Sequence, residues 1–434
     1  MYDLNLERTQ SQGTRATSNW IYSIRGVNLR GLKQHFLVVS YTLFCLGFFL
    51  FPSTKFHSNF FYVAVALPFL ICIFMKKVAL RSFFSSRTFL LSTIFLVYMF
   101  STLFWSDTYQ LSDISKYGRR LLYVLIFLGV TIHLIQVYPN FIQRLLVLLC
   151  WTATIFAVGY IVFYYTRHPF PHSRLFGFGQ LYNPIMASSI YGTTSIACLY
   201  LFQQQHTVRT KLLYLGMLLI LFLFMLLSQS RGPLLAWVIT IFGWTILEKL
   251  SYKGGKDDHD NRLWLVLLLI LALVLVLFIR YPDFFKSHVC RKTVRRLEIW
   301  EHSLSQARNK PYFGHGLKAD TRVILSSGKI KPHHHSVYLT TLFYGGIVGL
   351  LLLIALVGSA IWQGWTRTVK RQKFLLTCMI LFSALCMVTD GNTLLRHPKP
   401  VWLFFWFPIA LVAASELPGN SLSNERQTDD GSYA

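Results

Sequence analysis

Residues 211–249 read KLLYLGMLLILFLFMLLSQSRGPLLAWVITIFGWTILEK, which is two apolar runs separated by a short polar turn. Each run is long enough to cross the roughly 30 Å hydrocarbon layer of a bilayer as a helix. Because Ser228 to Gly232 leave almost no loop, the runs are predicted to form an antiparallel pair of membrane helices. Arg231 lies in this turn, at or just outside membrane depth, where a charge is costly and usually faces a cavity or a partner.

Apolar runs of the same kind recur along the whole chain of 434 residues. The composition is 54% hydrophobic and only 14% charged, below the roughly 25% charged residues of soluble proteins. We therefore predict an all-α polytopic membrane protein with about twelve spans. The predicted spans are residues 36–53, 57–75, 88–106, 118–137, 143–165, 183–204, 211–228, 232–249, 263–280, 336–362, 374–389 and 400–416.

The basic residues predict how the chain is oriented. Lys and Arg are concentrated before residue 36 and in the loops after the second, eighth and tenth spans, which share one side if spans alternate. By the positive-inside rule that side is the cytoplasm, so both termini are predicted to be cytoplasmic. The predicted segments are a cytoplasmic tail over 1–35, nine spans over 36–280, a periplasmic loop over 281–335, three spans over 336–416 and a cytoplasmic tail over 417–434.

The predicted periplasmic loop, residues 281–335, is strongly basic in a chain whose formal net charge is +25. The positive-inside rule does not explain basic residues on this side. An anionic partner in the periplasm is the simplest explanation, and a surface that binds anionic membrane lipids is the alternative. Residues 293–307 alternate basic and apolar positions at helical spacing, which predicts an amphipathic helix near the membrane. Nucleic-acid binding is disfavoured, because no predicted soluble domain is large enough to present a groove.

Arginines occur in three polar clusters predicted at the periplasmic ends of the spans. Guanidinium groups match phosphate oxygens through paired donors, so these arginines are candidates for holding an anionic substrate. Each also has a simpler explanation: a surface loop, snorkelling to the headgroups or a lipid-binding face. The clusters are Arg174 before Asn183-Pro184, Arg231 in the turn quoted above, and Arg291, Arg295 and Arg296 in the basic loop, with Phe313-Gly314-His315-Gly316-Leu317 following.

Three consecutive histidines, His333, His334 and His335, lie where the basic loop enters the tenth predicted span. Imidazole can accept a hydroxyl proton at neutral pH, so a general base is predicted among them. For His333 and His334 an exposed position without a chemical role stays open. A metal site is disfavoured, because consecutive side chains point in different directions and no carboxylate or cysteine lies at ligand spacing.

In their order and spacing, these motifs resemble the O-antigen ligase family, which shares a domain with O-antigen polymerases and bacterial protein O-oligosaccharyltransferases. The resemblance covers roughly residues 170–355, and the layout of twelve spans with one large periplasmic loop extends it to the whole chain. Its motifs are Ser230-Arg231-Gly232, then Arg296-Leu297-Glu298-Ile299-Trp300 followed by Phe313-Gly314-His315-Gly316, and then His335 with Leu339, Gly346 and Gly349 downstream.

The resemblance implies a metal-independent, inverting glycosyltransferase of the GT-C type in the inner membrane of a Gram-negative bacterium, with its active site facing the periplasm. The implied donor is a glycan on undecaprenyl pyrophosphate and the implied acceptor is a sugar hydroxyl of lipid A-core, with no cofactor. By position, the resemblance implies that Arg174, Arg231 and Arg296 bind the pyrophosphate and that His335 acts near the acceptor. The candidate residues are therefore His335, Arg231 and Arg296 for catalysis, and Arg174, Arg231, Arg296, Arg295 and His334 for pyrophosphate binding.

Other functions remain as alternatives. An O-antigen polymerase would use the same donor, but the single dominant basic loop after the ninth span favours a ligase. A protein O-glycosylating enzyme ranks below both. A transporter or flippase would place ionisable residues near the middle of spans and break spans in two related halves, whereas the charges here lie at span ends.

Overall fold

The computed structural model describes residues 29–138, 140–251, 268–270, 276, 279–281, 293–324, 330–331, 334–366 and 370–417. These residues form helices and one small antiparallel hairpin of strands β1 (Val323–Ile324) and β2 (Ile330–Lys331). The helices are α1 (Leu29–Leu50), α2 (Thr54–Phe74), α3 (Leu80–Phe83), α4 (Arg87–Ser101), α5 (Leu111–Val137), α6 (Phe141–Tyr165), α7 (Pro184–Gln203), α8 (Val208–Leu227), α9 (Arg231–Ser251), α10 (Thr293–Arg308), α11 (Val337–Thr366), α12 (Lys370–Thr389) and α13 (Trp402–Ser415).

The all-α polytopic membrane class predicted from the sequence is confirmed. Within the described residues, eight helices are long and apolar enough to cross a membrane: α2, α4 with the 3₁₀ turn that follows it, α5, α6, α7, α8, α11 and α12. Shorter apolar helices occupy three further predicted spans, at His35–Leu50, Arg231–Leu247 and Trp402–Ser415. The remaining predicted span, 263–280, falls mostly outside the described residues, so the total of twelve stays a prediction.

Several helices begin earlier than the sequence predicted, among them α1, which begins at Leu29 rather than at residue 36. Helix α5 begins at Leu111 rather than at residue 118, because Gln110 and Asp113 form a reciprocal capping box that starts the helix in polar sequence. Helix α12 begins at Lys370 rather than at residue 374. The extra turns of α5 bring Lys116 to the end of the bundle, one turn before Arg119 and Arg120.

Helix α7 lies at the centre of the bundle, with 89% of its most apolar window buried compared with 33% for α2. Its sequence is rich in Ala, Ser, Thr and Gly, and such small residues let neighbouring helices approach closely. Trp237 of α9 packs against α7 and donates from Nε1 to Ser195 Oγ at 2.7 Å. Asn183 caps the first turn of α7 through its side chain, and Pro184 follows at the first helical position. The start of this central helix is therefore fixed at one end of the bundle.

Successive loops along the sequence lie alternately at the two ends of the bundle, so every second loop shares an end. At one end Gln180 contacts His57, with 3.1 Å between Gln180 Oε1 and His57 Nδ1, and the Leu175 amide donates to Leu227 O at 3.0 Å. At the other end Thr88 donates to Glu416, and Gln143 Nε2 donates to Gln204 Oε1 at 3.2 Å. The loops predicted to be periplasmic thus share one end, called here the site end. That this end faces the periplasm stays a prediction.

The segment Phe313–Leu317 docks on a break in α11. The His315 and Gly316 amides donate to the carbonyls of Phe343 and Tyr344 at 2.8 and 2.9 Å, just before Gly346. Gly346 has φ 63° and ψ −164°, a backbone conformation open essentially to glycine alone. The Phe313–Leu317 segment and the break at Gly346 therefore contact each other through backbone atoms. This contact holds the loop after α10 against the site end.

We expect Gly346→Ala to destabilise the protein. Holding alanine in this backbone conformation costs about 1–3 kcal/mol, and its Cβ would collide with the Tyr312 carbonyl. The measurement is the midpoint of thermal unfolding of the purified protein in detergent. Gly358→Ala is the matched control in the same helix, since a Cβ there meets nothing within 4 Å. Equal unfolding temperatures for Gly346→Ala and the wild type would contradict the docking role.

Candidate active site

Arg174 is fixed against the turn between α8 and α9. Its Nε donates to Ser228 O at 2.9 Å and its Nη2 donates to Ser230 Oγ at 3.2 Å. Its own carbonyl accepts a hydrogen bond of 2.8 Å from the hydroxyl of Tyr164 in α6. The guanidinium therefore lies beside the polar turn that leads into Arg231, although 56 residues separate Arg174 from Ser230 in sequence.

Three charged groups from distant parts of the chain lie close enough to influence one another. Burial lowers the pKa of Arg174, and the nearby guanidinium of Arg296 lowers that pKa further, whereas the Asp390 carboxylate opposes the shift. Arg296 belongs to α10, and Asp390 directly follows α12. The two guanidiniums repel each other, and an anion between them would relieve this repulsion.

Arg231 is the first residue of α9, and its side chain is exposed at the site end. Next to it, Gly232 packs directly on Thr389, and a Cβ at this glycine would collide with Thr389 Oγ1. Thr389 is the last residue of α12, immediately before Asp390. The start of α9 therefore packs closely against the end of α12. This contact places Arg231 near Asp390.

His335 contacts Asp390 at the start of α11. The Nδ1 of His335 lies 3.4 Å from Asp390 Oδ1, and the two side chains are 28% and 7% exposed. His335 has φ 52°, in the left-handed region that non-glycine residues rarely adopt and that is enriched at functional sites. Asp390 Oδ2 is buried and has no hydrogen-bond partner within the described part of the chain. The carboxylate is therefore placed to orient one imidazole ring.

The other candidates have different positions. His334 is fully buried: its Nδ1 lies 2.7 Å from Ser303 Oγ and its ring packs on Phe343, so it joins α10 to α11. The ring has no exposed surface in this structure, and pyrophosphate binding by His334 stays a prediction. The side chain of Arg295, like His333, lies outside the described residues.

A cavity of about 370 Å³ opens beside Asp390 at the site end. No role for Asp390, or for the cationic side chains that line the same cavity, was predicted from the sequence. The only sequence signal for Asp390 is its place at the end of an apolar run, where an ionisable residue often has a function. The polar lining includes Gln180, Asn183, Asp390, Asn392, Arg396 and Lys399.

The geometry defines a polytopic membrane protein whose arginines and one histidine–aspartate pair meet at one end of the helical bundle. A family model described as O-Antigen ligase matches residues 216–354, which include Arg231, Arg296 and His335. The O-antigen ligase of Pseudomonas aeruginosa is 27% identical over 425 residues, which cover 98% of this chain and 98% of that protein. Both comparisons confirm the predicted resemblance to the O-antigen ligase family.

Proposed function

We propose that this glycosyl-transferring enzyme moves a glycan from undecaprenyl pyrophosphate to a sugar hydroxyl of lipid A-core, at the periplasmic face of the inner membrane. The family supports ligase-type chemistry, and the site supports its details. The observation that carries the proposal is the contact of His335 with Asp390 beside the mutually close Arg174 and Arg296. The arrangement offers cationic groups for a diphosphate next to one candidate base.

In the proposed reaction, the acceptor oxygen forms a bond to the anomeric carbon of the donor while its proton passes to the imidazole of His335. On the opposite side of that carbon, the bond to the diphosphate oxygen breaks, so the configuration inverts and the diphosphate leaves with one more negative charge. Arg174, Arg231 and Arg296 stabilise this growing charge, and guanidiniums fixed in a water-poor site do so strongly. Since three guanidiniums can neutralise the negative charge of the leaving diphosphate, we propose that no metal ion takes part.

Asp390 acts as a positioning residue in this proposal. If His335 Nδ1–H donates to the carboxylate, the lone pair lies on Nε2, which is the tautomer that a base requires. The distance of 3.4 Å is long for a hydrogen bond, and catalytic contacts often shorten only when substrate is bound. The buried carboxylate also stabilises the imidazolium that forms during transfer.

We expect Asp390→Asn to lower kcat while changing the KM for the donor little, because the amide keeps the shape of the side chain but not its charge. The loss cannot exceed the contribution of the base itself, about 10²–10⁴-fold. The measurement is initial-rate transfer by purified protein. Asp320→Asn is the matched control, because Asp320 is exposed and forms an ion pair with Arg322, two residues away. Unchanged kcat in Asp390→Asn would reject the positioning role.

The function itself is tested by reconstitution. Purified protein is incubated with lipid-linked glycan and either lipid A-core or a second molecule of the donor, before and after exhaustive chelation. We expect product on lipid A-core in both conditions. Lengthened lipid-linked glycan instead would identify a polymerase, and absence of any transfer with intact donor would reject both. Activity lost on chelation and restored by Mg²⁺ would reject the metal-independent mechanism.

A further inference from the structure

A second cavity, of about 490 Å³, lies at the site end next to the first one, and Thr54 lines both. Its walls come from the start of α2, the early turns of α5 and the loop between α12 and α13. No carboxylate lines it among the residues that the structure describes. We call this cavity the cationic pocket; its basic lining residues are Lys55, Lys116, Arg119, Arg120 and His397.

The cations of α5 lie on a single face of that helix. Lys116 is three residues before Arg119 and four before Arg120, the spacings at which helical side chains are neighbours and like charges repel. Arg119 Nε donates only to Ser115 O of its own helix, and Arg120 lies over the Tyr117 ring at 4.6 Å. None of the three forms an ion pair within the described ranges. A bound anion would therefore reduce the repulsion among these three positive charges.

The loop between α12 and α13 adds further positive charge. Burial and the neighbouring Arg120 guanidinium lower the pKa of Arg396. Burial, Arg396 and Arg120 lower the pKa of Lys399, and burial together with these cations, Lys399 foremost, lowers the pKa of His397 to about 4. The loop and α5 therefore bring cations together in a half-buried setting, and His397 of the loop shares the pocket with Arg119 and Arg120. The arrangement stores electrostatic repulsion that an anionic ligand would relieve.

Topology does not explain this cluster. The positive-inside rule places excess Lys and Arg on the cytoplasmic side, whereas the pocket lies at the opposite end, with the candidate active site. Below the cations, Tyr62 and Tyr123 are stacked at 4.2 Å and form part of the wall. A pocket with guanidiniums at the rim and aromatic rings beneath fits an amphiphile that carries phosphate at its polar end.

We propose that the cationic pocket binds a phosphate group of the acceptor lipid, separately from the arginines assigned to the donor pyrophosphate. Arg396 and Lys399 line the first cavity, where Asp390 lies, and His397 between them lines the cationic pocket. An acceptor held in the pocket therefore reaches His335 along the cations of this loop. Binding there fixes the acceptor's position and determines its KM. The inference rests on the proposed function, because it assigns the phosphate to the acceptor.

The test compares wild-type protein with Arg119→Gln/Arg120→Gln. With phosphorylated lipid A-core we expect the KM for the acceptor to rise about tenfold or more, since charge-assisted hydrogen bonds are lost. The KM for the donor should stay unchanged, and enzymatically dephosphorylated acceptor should no longer distinguish variant from wild type. The matched control is Arg81→Gln/Arg87→Gln, whose exposed side chains lie at the opposite end. A rise in donor KM instead, or no change with either acceptor, overturns the inference.

A binding measurement separates this inference from the proposed function. Purified protein without donor is titrated with phosphorylated lipid A-core, with the dephosphorylated form and with phosphatidylglycerol. Selective binding of the phosphorylated acceptor that the double variant loses supports the pocket even if no transfer is found. Equal binding of phosphatidylglycerol would show a general headgroup site and overturn the inference. Arg119→Lys/Arg120→Lys keeps the charge but not the paired donors, so it should bind more weakly than the wild type and more tightly than the Gln variant. Binding by the folded Lys variant no tighter than by the Gln variant would count against a phosphate site.

Discussion

Replacing His335 with alanine is expected to lower the rate of glycan transfer by about 10²–10⁴-fold, the usual contribution of a general base. The acceptor hydroxyl would then lose its proton only to water. The substitution removes the ring that Asp390 contacts at 3.4 Å, and the resulting unpaired carboxylate adds to the loss. Donor binding should change little, because the arginines assigned to the pyrophosphate remain.

The measurement is single-turnover transfer to lipid A-core by purified protein, together with the donor affinity measured separately. His172→Ala is the matched control, because this histidine is exposed in the loop before α7 at the same end of the bundle. Thermal unfolding of each variant excludes loss of fold as the cause. Full transfer by His335→Ala would reject the assignment of this imidazole as the base.

Arg296→Ala should reduce transfer by about 10²–10³-fold, the typical effect of removing one preorganised donor to a developing anion. Arg296 lies near enough to Arg174 to lower that residue's pKa, so the two guanidiniums can share one diphosphate. Lysine at position 296 should restore only part of the rate, because a single ammonium cannot provide the paired donors of a guanidinium. The donor KM should rise as well, since the ground-state diphosphate also contacts these groups.

Arg308→Ala is the matched control for this variant, since Arg308 is exposed in the last turn of the same helix, α10. The measurement is kcat and donor KM, followed by a double variant with Arg174→Ala. Because the two arginines act on one ligand, the double variant should lose less than the product of the single losses. A wild-type rate in Arg296→Ala, or strictly multiplicative losses, would contradict a shared diphosphate site.

Much of the candidate site could be predicted from the sequence, because its arginines lie in short polar segments between apolar runs. Arg174 and Arg296 were predicted on the same end of the bundle, and the structure brings them within electrostatic range of each other. The burial of His334 could not be predicted, because three consecutive histidines carry no sign of which ring turns inward. Contact with Ser303, 31 residues away, decides that His334 is buried.

The sequence by itself determined the helical membrane class and the alternation of loops between two ends. Both depend on the apolar length of each segment, and backbone groups in hydrocarbon must pair within the segment itself. Only the tertiary structure decided that Asp390 is the partner of His335 and that the cations of α5 face those of the loop before α13. These pairs are 55 or more residues apart, and their distances depend on how the helices pack rather than on any local pattern.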